Sequence, residues 1–191
     1  MAKRKIVLAS KSPRRKRMLE QIGVDFEIRE STYKEDMSAR TDPYELAKFL
    51  ALKKAEAVAG DFADAIIISA DTFTIFNGEY IGKPKDKDDA KRILKNFSGQ
   101  EHKIISAFAL IDTKNQKVIN DLGEAVVKFR NLSDEEIDAY VASGEPLEMA
   151  GGYGMLDHGA TLIESVSGDF FSVIGLPLTK IYLALKEMGA I

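Results

Sequence analysis

"KIVLASKSPRRKRMLEQIG" (residues 5–23) reads as a strand that passes directly into a helix, and this pairing sets the fold class. "KIVLA" is a short buried strand by its apolar run. Ser12 is placed to cap the helix, Pro13 occupies the first helical position and Gly23 stops it. Met18, Leu19 and Ile22 share one face. Arg14 and Arg15 look misplaced. The first helical turn exposes unpaired N–H groups and partial positive charge, so two cations there cost a little stability. An anion would reverse the sign, accepting the free N–H groups while the guanidinium forks clamp it. Ser10, just after the strand, could add a hydroxyl. That is a phosphate site. The competing reading is a solvated basic helix start, with Lys11, Lys16 and Arg17 also exposed. Charge and position alone leave the two level. A kinase target or a DNA-groove arm in "SPRR" fits an acidic chain less well.

Outward from this stretch, strands and helices alternate. "DFEIRES" (25–31) has strand character. "DPYELAKFLALKKAEAVAG" (42–60) is a helix with Asp42 as cap, Pro43 first and Gly60 at the end. "AIIIS" (65–69) is an apolar strand buried on both faces. In "TFTIFNGEYIG" (72–82), Asn77-Gly78 marks a hairpin. "DKDDAKRILKNFSG" (86–99) is a helix with acids in its first turn. "KIISAFALID" (103–112) and "KVINDLGEAVVKFR" (117–130) are strands around a polar turn at Lys114 to Gln116. "SDEEIDAYVASG" (133–144) opens on a capping box, Ser133 with Glu136. "ATLIESVSG" (160–168) and "FFSVIG" (170–175) read as strands, and "PLTKIYLALKEMG" (177–189) as a closing helix. The order predicts an α/β fold: one domain over residues 1–191 around a mixed, partly antiparallel sheet.

Composition narrows the function. A chain of 191 residues can bury a sizeable core. Its formal charge of -3 argues against a nucleic-acid coat, so no nucleic-acid partner is expected. The absence of cysteine excludes disulfides, thiolate zinc sites and a cysteine nucleophile. No segment approaches a membrane span, and the apolar stretch after the basic start is too short for a signal peptide. The expectation is a cytoplasmic protein with no membrane partner.

A second chemical feature is "IIISADT" (66–72), an apolar run ending in Asp71 and Thr72. Ligands gather beyond the carboxyl ends of strands in α/β sheets, where a carboxylate can hold a metal or position water. The alternative is an Asp that caps the next turn. Lys53 and Lys54 both flank the stripe Leu46, Phe49, Leu50 and Ala57, and either stem could snorkel into a cleft. Lys83 in "IGKP" sits in a rigid loop before Pro84, and Glu35 lies in the acidic loop "YKED". His102 and His158 lack metal-ligand spacing and read as structural or surface residues. "GGYGMLDHG" (151–159) has enough glycine to bring backbone close to a ligand. It matches no phosphate-loop motif, and the Walker pattern is absent.

In order and spacing, "LASKSPRR", "SADT", "NGEYIGKPKDKDDAKRILKNFSGQEH", "YVASGEPLEMAGGYG" and "GDFFSVIGLPL" resemble the Maf family of nucleotide pyrophosphatases over nearly the whole chain. The resemblance implies an ITPase-like (Maf/Ham1) fold, with an elongated mixed sheet flanked by helices and two lobes around a central cleft. It implies hydrolysis of a nucleoside triphosphate to monophosphate and pyrophosphate with a divalent metal cation, Mg2+ or Mn2+. It places phosphate binding on Ser10, Arg14 and Arg15, and a further acidic residue on Glu35. The family's helix lysine falls on Lys54, its "GKP" lysine on Lys83 and its proton acceptor on Asp71; Glu35 joins Asp71 as metal holder. Members of the dTTP/UTP branch carry arginine, threonine and glutamine at three marker positions. Arg14 and Thr72 match, whereas Leu156 stands where a polar residue is expected. The branch associated with 7-methyl-GTP carries tryptophan, glutamine and glutamate. The resemblance also suggests a homodimer. A second class stays open: a nucleotide-binding regulator of septum formation without turnover, which would not need Asp71, Glu35 or metal.

Overall fold

Strand β1 (Lys5–Leu8) and helix α1 (Pro13–Gln21) form where local chemistry places them. In the computed structural model, which describes residues 4–191, the Ser12 side chain accepts the Arg15 N–H as the cap of α1. Met1 to Lys3, which begin the basic run noted above, lie outside the described residues. Met18 and Leu19 are the buried face of α1. After it, "DFEIRES" yields only the two-residue strand β2 (Glu27–Ile28), because both residues are exposed and bury nothing that would extend it.

Helix α2 (Pro43–Ala59) is capped by Asp42 as expected. Its buried face is Leu46, Ala47, Leu50, Ala51, Ala55 and Val58; Ala57 is exposed and Phe49 half-buried, which corrects the predicted stripe. Lys54 falls on this face and Lys53 beside it. Strand β3 (Ala65–Phe76) runs unbroken for 12 residues. Asp71 and Thr72 are thus inside a strand rather than after one. Only the first part of β3 pairs in parallel with β1, from Lys5↔Ala65 to Leu8↔Ile68. Asp71 therefore lies beyond the carboxyl end of β1, and the expected placement survives in that form.

Strand β4 (Glu79–Ile81) returns antiparallel to β3 through Asn77-Gly78, both with positive φ, the geometry of a tight hairpin turn. Helix α3 (Lys87–Phe97), strands β5 (Glu101–Asp112) and β6 (Lys117–Phe129), and helix α4 (Asp134–Ala142) with its Ser133–Glu136 capping box follow as predicted. Strand β7 (Ile163–Gly168) pairs antiparallel with β6. "FFSVIG" is not a strand: helix α5 (Phe170–Ile174) forms there. The Asp169 carboxylate accepts the Phe171 N–H at 3.1 Å and the Ser172 hydroxyl at 2.8 Å. This local cap overrides the apolar, β-favouring composition. Helix α6 (Leu178–Glu187) closes the chain. The mixed sheet has seven strands in the order β2-β1-β3-β5-β6-β7, with β4 also on β3. No helix among the described residues is long and apolar enough to cross a membrane.

The chain forms two compact units. The first takes in the described residues up to Thr72, together with Ser106–Gly123 and Gly175–Ile191. Its interior includes Ile6, Val7, Leu8, Leu50, Ile66, Ile67, Ile68, Ile181 and Leu185, all buried. The second comprises Phe73–Ile105 and Glu124–Ile174. Its core gathers Ile93, Leu94, Phe97, Ile104, Phe129, Ile137, Tyr153 and Leu162. Glycines of "GGYGMLDHG" serve this second unit's own packing. A Cβ on Gly151, whose φ is +75°, would lie 2.6 Å from Thr74 Oγ1; one on Gly159 would lie 2.6 Å from the Gly154 carbonyl and the Tyr140 hydroxyl.

Candidate functional site

Seven of the nine predicted site residues belong to the first unit: Ser10, Arg14, Arg15, Glu35, Lys54, Asp71 and Thr72. Their assembly begins at β1. Its pairing with β3 extends to the Ala9 N–H, which donates to the Ile68 carbonyl at 2.7 Å. Ser10 follows directly, and its hydroxyl accepts the Ser12 N–H at 3.2 Å. The turn into α1 is thereby fixed from both serines. Arg14 is half-buried in the first helical turn.

Arg15 is tied in more firmly than a solvated helix start would be. Its Nε–H donates to the Gly175 carbonyl at 2.9 Å. Its terminal nitrogens donate to Ser10 Oγ at 3.3 Å and to Thr72 Oγ1 at 3.2 Å. These acceptors offset the unfavourable charge at the helix start. Burial lowers the pKa of Arg15 from its ordinary value, and the nearby Asp71 carboxylate partly restores it.

A second group surrounds Lys54, whose side chain is only 14% exposed. Its Nζ lies 2.6 Å from Glu35 Oε1 and 3.2 Å from Asp71 Oδ2. The other oxygen, Asp71 Oδ1, accepts the Thr72 N–H at 3.0 Å. Lys53, off the buried face of α2, pairs with Glu56 at 2.7 Å instead. The structure thus distinguishes two lysines that periodicity left equal. The α2–β3 contact is fixed one turn before Lys54, where the buried Ser69 hydroxyl donates to the Ala51 carbonyl at 2.5 Å.

Asp71 is 12% exposed at its side chain, and burial is the largest influence on it. Burial raises its pKa above the ordinary carboxylate value, while the charges of Lys54 and Arg15 act in the opposite direction. A carboxylate shifted upward is a better proton acceptor than a solvated one. Glu35 and Asp71 are also hard oxygen donors converging on one cation. Among the described residues no group of three or more potential metal-binding His, Cys, Asp or Glu exists. Two carboxylates are nonetheless the donor set that Mg2+ accepts when phosphate oxygens and water complete its octahedron. The pair fits such an ion.

Lys83 and Leu156 belong to the second unit. Lys83 is 61% exposed, its amine 3.8 Å from Glu148 Oε2. Leu156 is 45% exposed. His102 is structural, buried and sharing a 2.7 Å hydrogen bond with the Tyr153 hydroxyl, while His158 is a surface residue whose backbone N–H donates to Glu145 at 3.1 Å. Sequence reasoning missed Ser69, Ser106 and Gly175. Ser106 Oγ lies 2.8 Å from Thr72 Oγ1 and is fully buried. The signal was present for both serines, each a lone hydroxyl following isoleucines inside an apolar strand. Gly175 acts through its carbonyl, which no side-chain pattern advertises.

A family model described as "Maf-like protein" matches residues 5–188. The chain is 44% identical over 188 residues to the dTTP/UTP pyrophosphatase of Dictyoglomus turgidum, spanning 98% of this chain and 97% of the relative. It is 42% identical over 186 residues to the dTTP/UTP pyrophosphatase of Bacillus anthracis, covering 97% and 96%. The protein of that name from Aquifex aeolicus is 41% identical over 185 residues, again 97% and 96%. Among solved structures, the Staphylococcus aureus Ham1 protein is similar over 66% of this chain and 72% of its own, at a TM-score of 0.47 and 16% identity.

Proposed function

The chain belongs to the Maf family, and from that premise we propose that it is a cytoplasmic nucleoside triphosphate pyrophosphatase acting on dTTP and UTP. The observation that carries the mechanism is Asp71, a buried carboxylate beside Lys54 and in the field of Arg15. The reaction is displacement at the α-phosphorus. Water attacks, an O–P bond forms, the bond from the α-phosphorus to its bridging oxygen breaks, and pyrophosphate departs. The site must therefore position water, accept its proton and neutralise a polyanion.

Asp71 takes the proton from the attacking water. Its upward-shifted affinity for protons suits that role, and Lys54 holds the carboxylate oriented. Arg15, Arg14 and Ser10 bind phosphate oxygens at the start of α1, where free N–H groups and guanidinium forks both favour an anion. Lys54 adds charge near the same oxygens, and the family resemblance assigns a like role to Lys83. Glu35 and Asp71 would hold a divalent cation, Mg2+ or Mn2+, together with the triphosphate. Such an ion supplies charge neutralisation and lowers the pKa of water.

Pyrophosphate release over a panel of nucleoside triphosphates tests the reading. UTP and dTTP should be the best substrates, and chelation of divalent cations should abolish turnover. Binding without hydrolysis of any nucleotide would replace the enzyme with a nucleotide-binding regulator.

A further inference from the structure

Thr72 matches a position associated with nucleotide choice, yet its hydroxyl is already occupied inside the protein. A threonine hydroxyl offers one donor and two acceptor sites. Thr72 Oγ1 accepts from Arg15 at 3.2 Å, lies 2.8 Å from Ser106 Oγ and 3.5 Å from the Gly175 carbonyl. With Ser106 donating to Thr72 and Thr72 donating on to Gly175, these three neighbours take up its one donor and two acceptor sites and leave none for the edge of a base. Arg15 shows the complementary pattern. Of its five N–H donors, one goes to Gly175, one to Ser10 and one to Thr72. Two remain, one on each terminal nitrogen, and those are the pair a guanidinium fork uses on phosphate.

Ser106 stands behind this arrangement. It is fully buried on β5, between the apolar Ile105 and Ala107. Alanine would pack there without a polar group to satisfy, so the hydroxyl has a specific use. Its partner is Thr72, which in turn contacts Arg15.

We infer that Thr72 and Ser106 are positioning residues for Arg15: their paired hydroxyls fix the guanidinium fork for phosphate, and they act identically whatever base the substrate carries. The inference rests on the pyrophosphatase reading above and assigns Thr72 to the phosphate side of that site.

The test compares Thr72→Val, Thr72→Ser, Ser106→Ala and the double variant Thr72→Val/Ser106→Ala, with folding checked by thermal melting. Each is assayed for KM and kcat on UTP, dTTP, CTP and GTP. Binding of inorganic pyrophosphate, which has no base, is measured by calorimetry. Thr72→Val should raise KM about tenfold for every nucleotide and weaken pyrophosphate binding by a similar factor. The ratio of kcat/KM for UTP over CTP should stay within about twofold, and Thr72→Ser should restore the native values. Ser106→Ala should act in the same direction, and the double variant should be no worse than Thr72→Val alone, because the two act through one contact. Should Thr72→Val fold poorly, Ser106→Ala carries the same comparison. A UTP-to-CTP ratio that collapses while pyrophosphate binding is unchanged would overturn the proposal and make Thr72 a reader of the base. Native pyrophosphate and nucleotide binding in both hydroxyl-deleted variants would overturn it as well. A wild-type protein that hydrolyses no nucleotide defeats the pyrophosphatase reading instead, and the pyrophosphate titration then decides this inference by itself.

Discussion

Asp71 in the first unit and His102 in the second are both buried titratable groups, and burial is the dominant influence on each. It raises the carboxyl and lowers the imidazole pKa to about 3. Their surroundings differ. His102 stacks on Phe97 at 4.2 Å, meets Phe129 and Tyr153 edge-on, and has a hydroxyl as its partner. Burial by itself shifts its pKa. Asp71 has Lys54 and Arg15 opposing its burial, and Glu35 competing for the same lysine. Burial alone thus makes a perturbed group. Burial among opposed charges is the setting of the residue we propose as proton acceptor.

Replacing each group in turn is the strongest way to break this comparison. Asp71→Asn should lower turnover of UTP by about a hundredfold or more, with nucleotide still bound. Its stability effect has the opposite sign. The fold raises the proton affinity of Asp71, so ionisation costs stability as pH rises through the ordinary carboxylate range, and the cost is complete above the folded value. Asp71→Asn removes that cost, so its melting temperature should exceed the wild type's at pH 8 and lose this advantage at pH 3. Near-native turnover in the folded variant, or a stability gain largest in acid, would dissolve the assignment.

Arg15→Ala should come next, with triphosphate binding weakened about tenfold or more. It should also destabilise the empty protein by roughly 1–2 kcal/mol, since three acceptors lose their donor. Helix-dipole reasoning alone predicts the reverse for stability, so a denaturant titration separates the two.

For His102 the stability sign runs the other way from that of Asp71. Its folded pKa lies below the unfolded value of about 6.5, so its contribution is complete above that pH. Below it, stability falls by about 1.4 kcal/mol per pH unit until the folded pKa is reached. His102→Gln should flatten stability between pH 6 and 4 while changing UTP turnover less than about threefold. A hundredfold loss of turnover would place His102 in the chemistry and erase the contrast.

The smallest expected effect is at Leu156. The family resemblance assigns this position to base selection, where a glutamine would hydrogen-bond the edge of a pyrimidine and an apolar side chain would discriminate weakly. Leu156→Gln should raise the UTP-to-CTP ratio of kcat/KM by a few-fold. An unchanged ratio would remove position 156 from base selection.

Much of this was legible because local chemistry decided it. Caps at Ser12, Asp42 and Ser133 set helix starts, and Asn77-Gly78 set a hairpin. Helix α5 was misread because its decisive bond comes from Asp169, outside the apolar run that looked like a strand. The proposed site residues come from motif order, and physics alone leaves Arg15 and Lys54 undecided between a bound anion and a solvated surface. What holds those two side chains in place is distant in sequence: the Gly175 carbonyl for one and the Glu35–Asp71 pair for the other. The Ser106 contact with Thr72 spans 34 residues, beyond any local pattern.

The bond from Arg15 to Gly175 joins residues 160 positions apart. Translation at 5–20 residues per second separates their emergence by roughly 10–30 s. Throughout that interval the guanidinium has no Gly175 carbonyl to meet, and β1, α1 and β3 must wait with their first unit incomplete. Closing so long a loop adds its entropic cost at the end, which favours slow folding and a late-forming site. A ribosome-bound chain stopped before Gly175 should therefore hold an α1 whose phosphate clamp is still loose, so competence to bind nucleotide would arrive as one of the last events of folding.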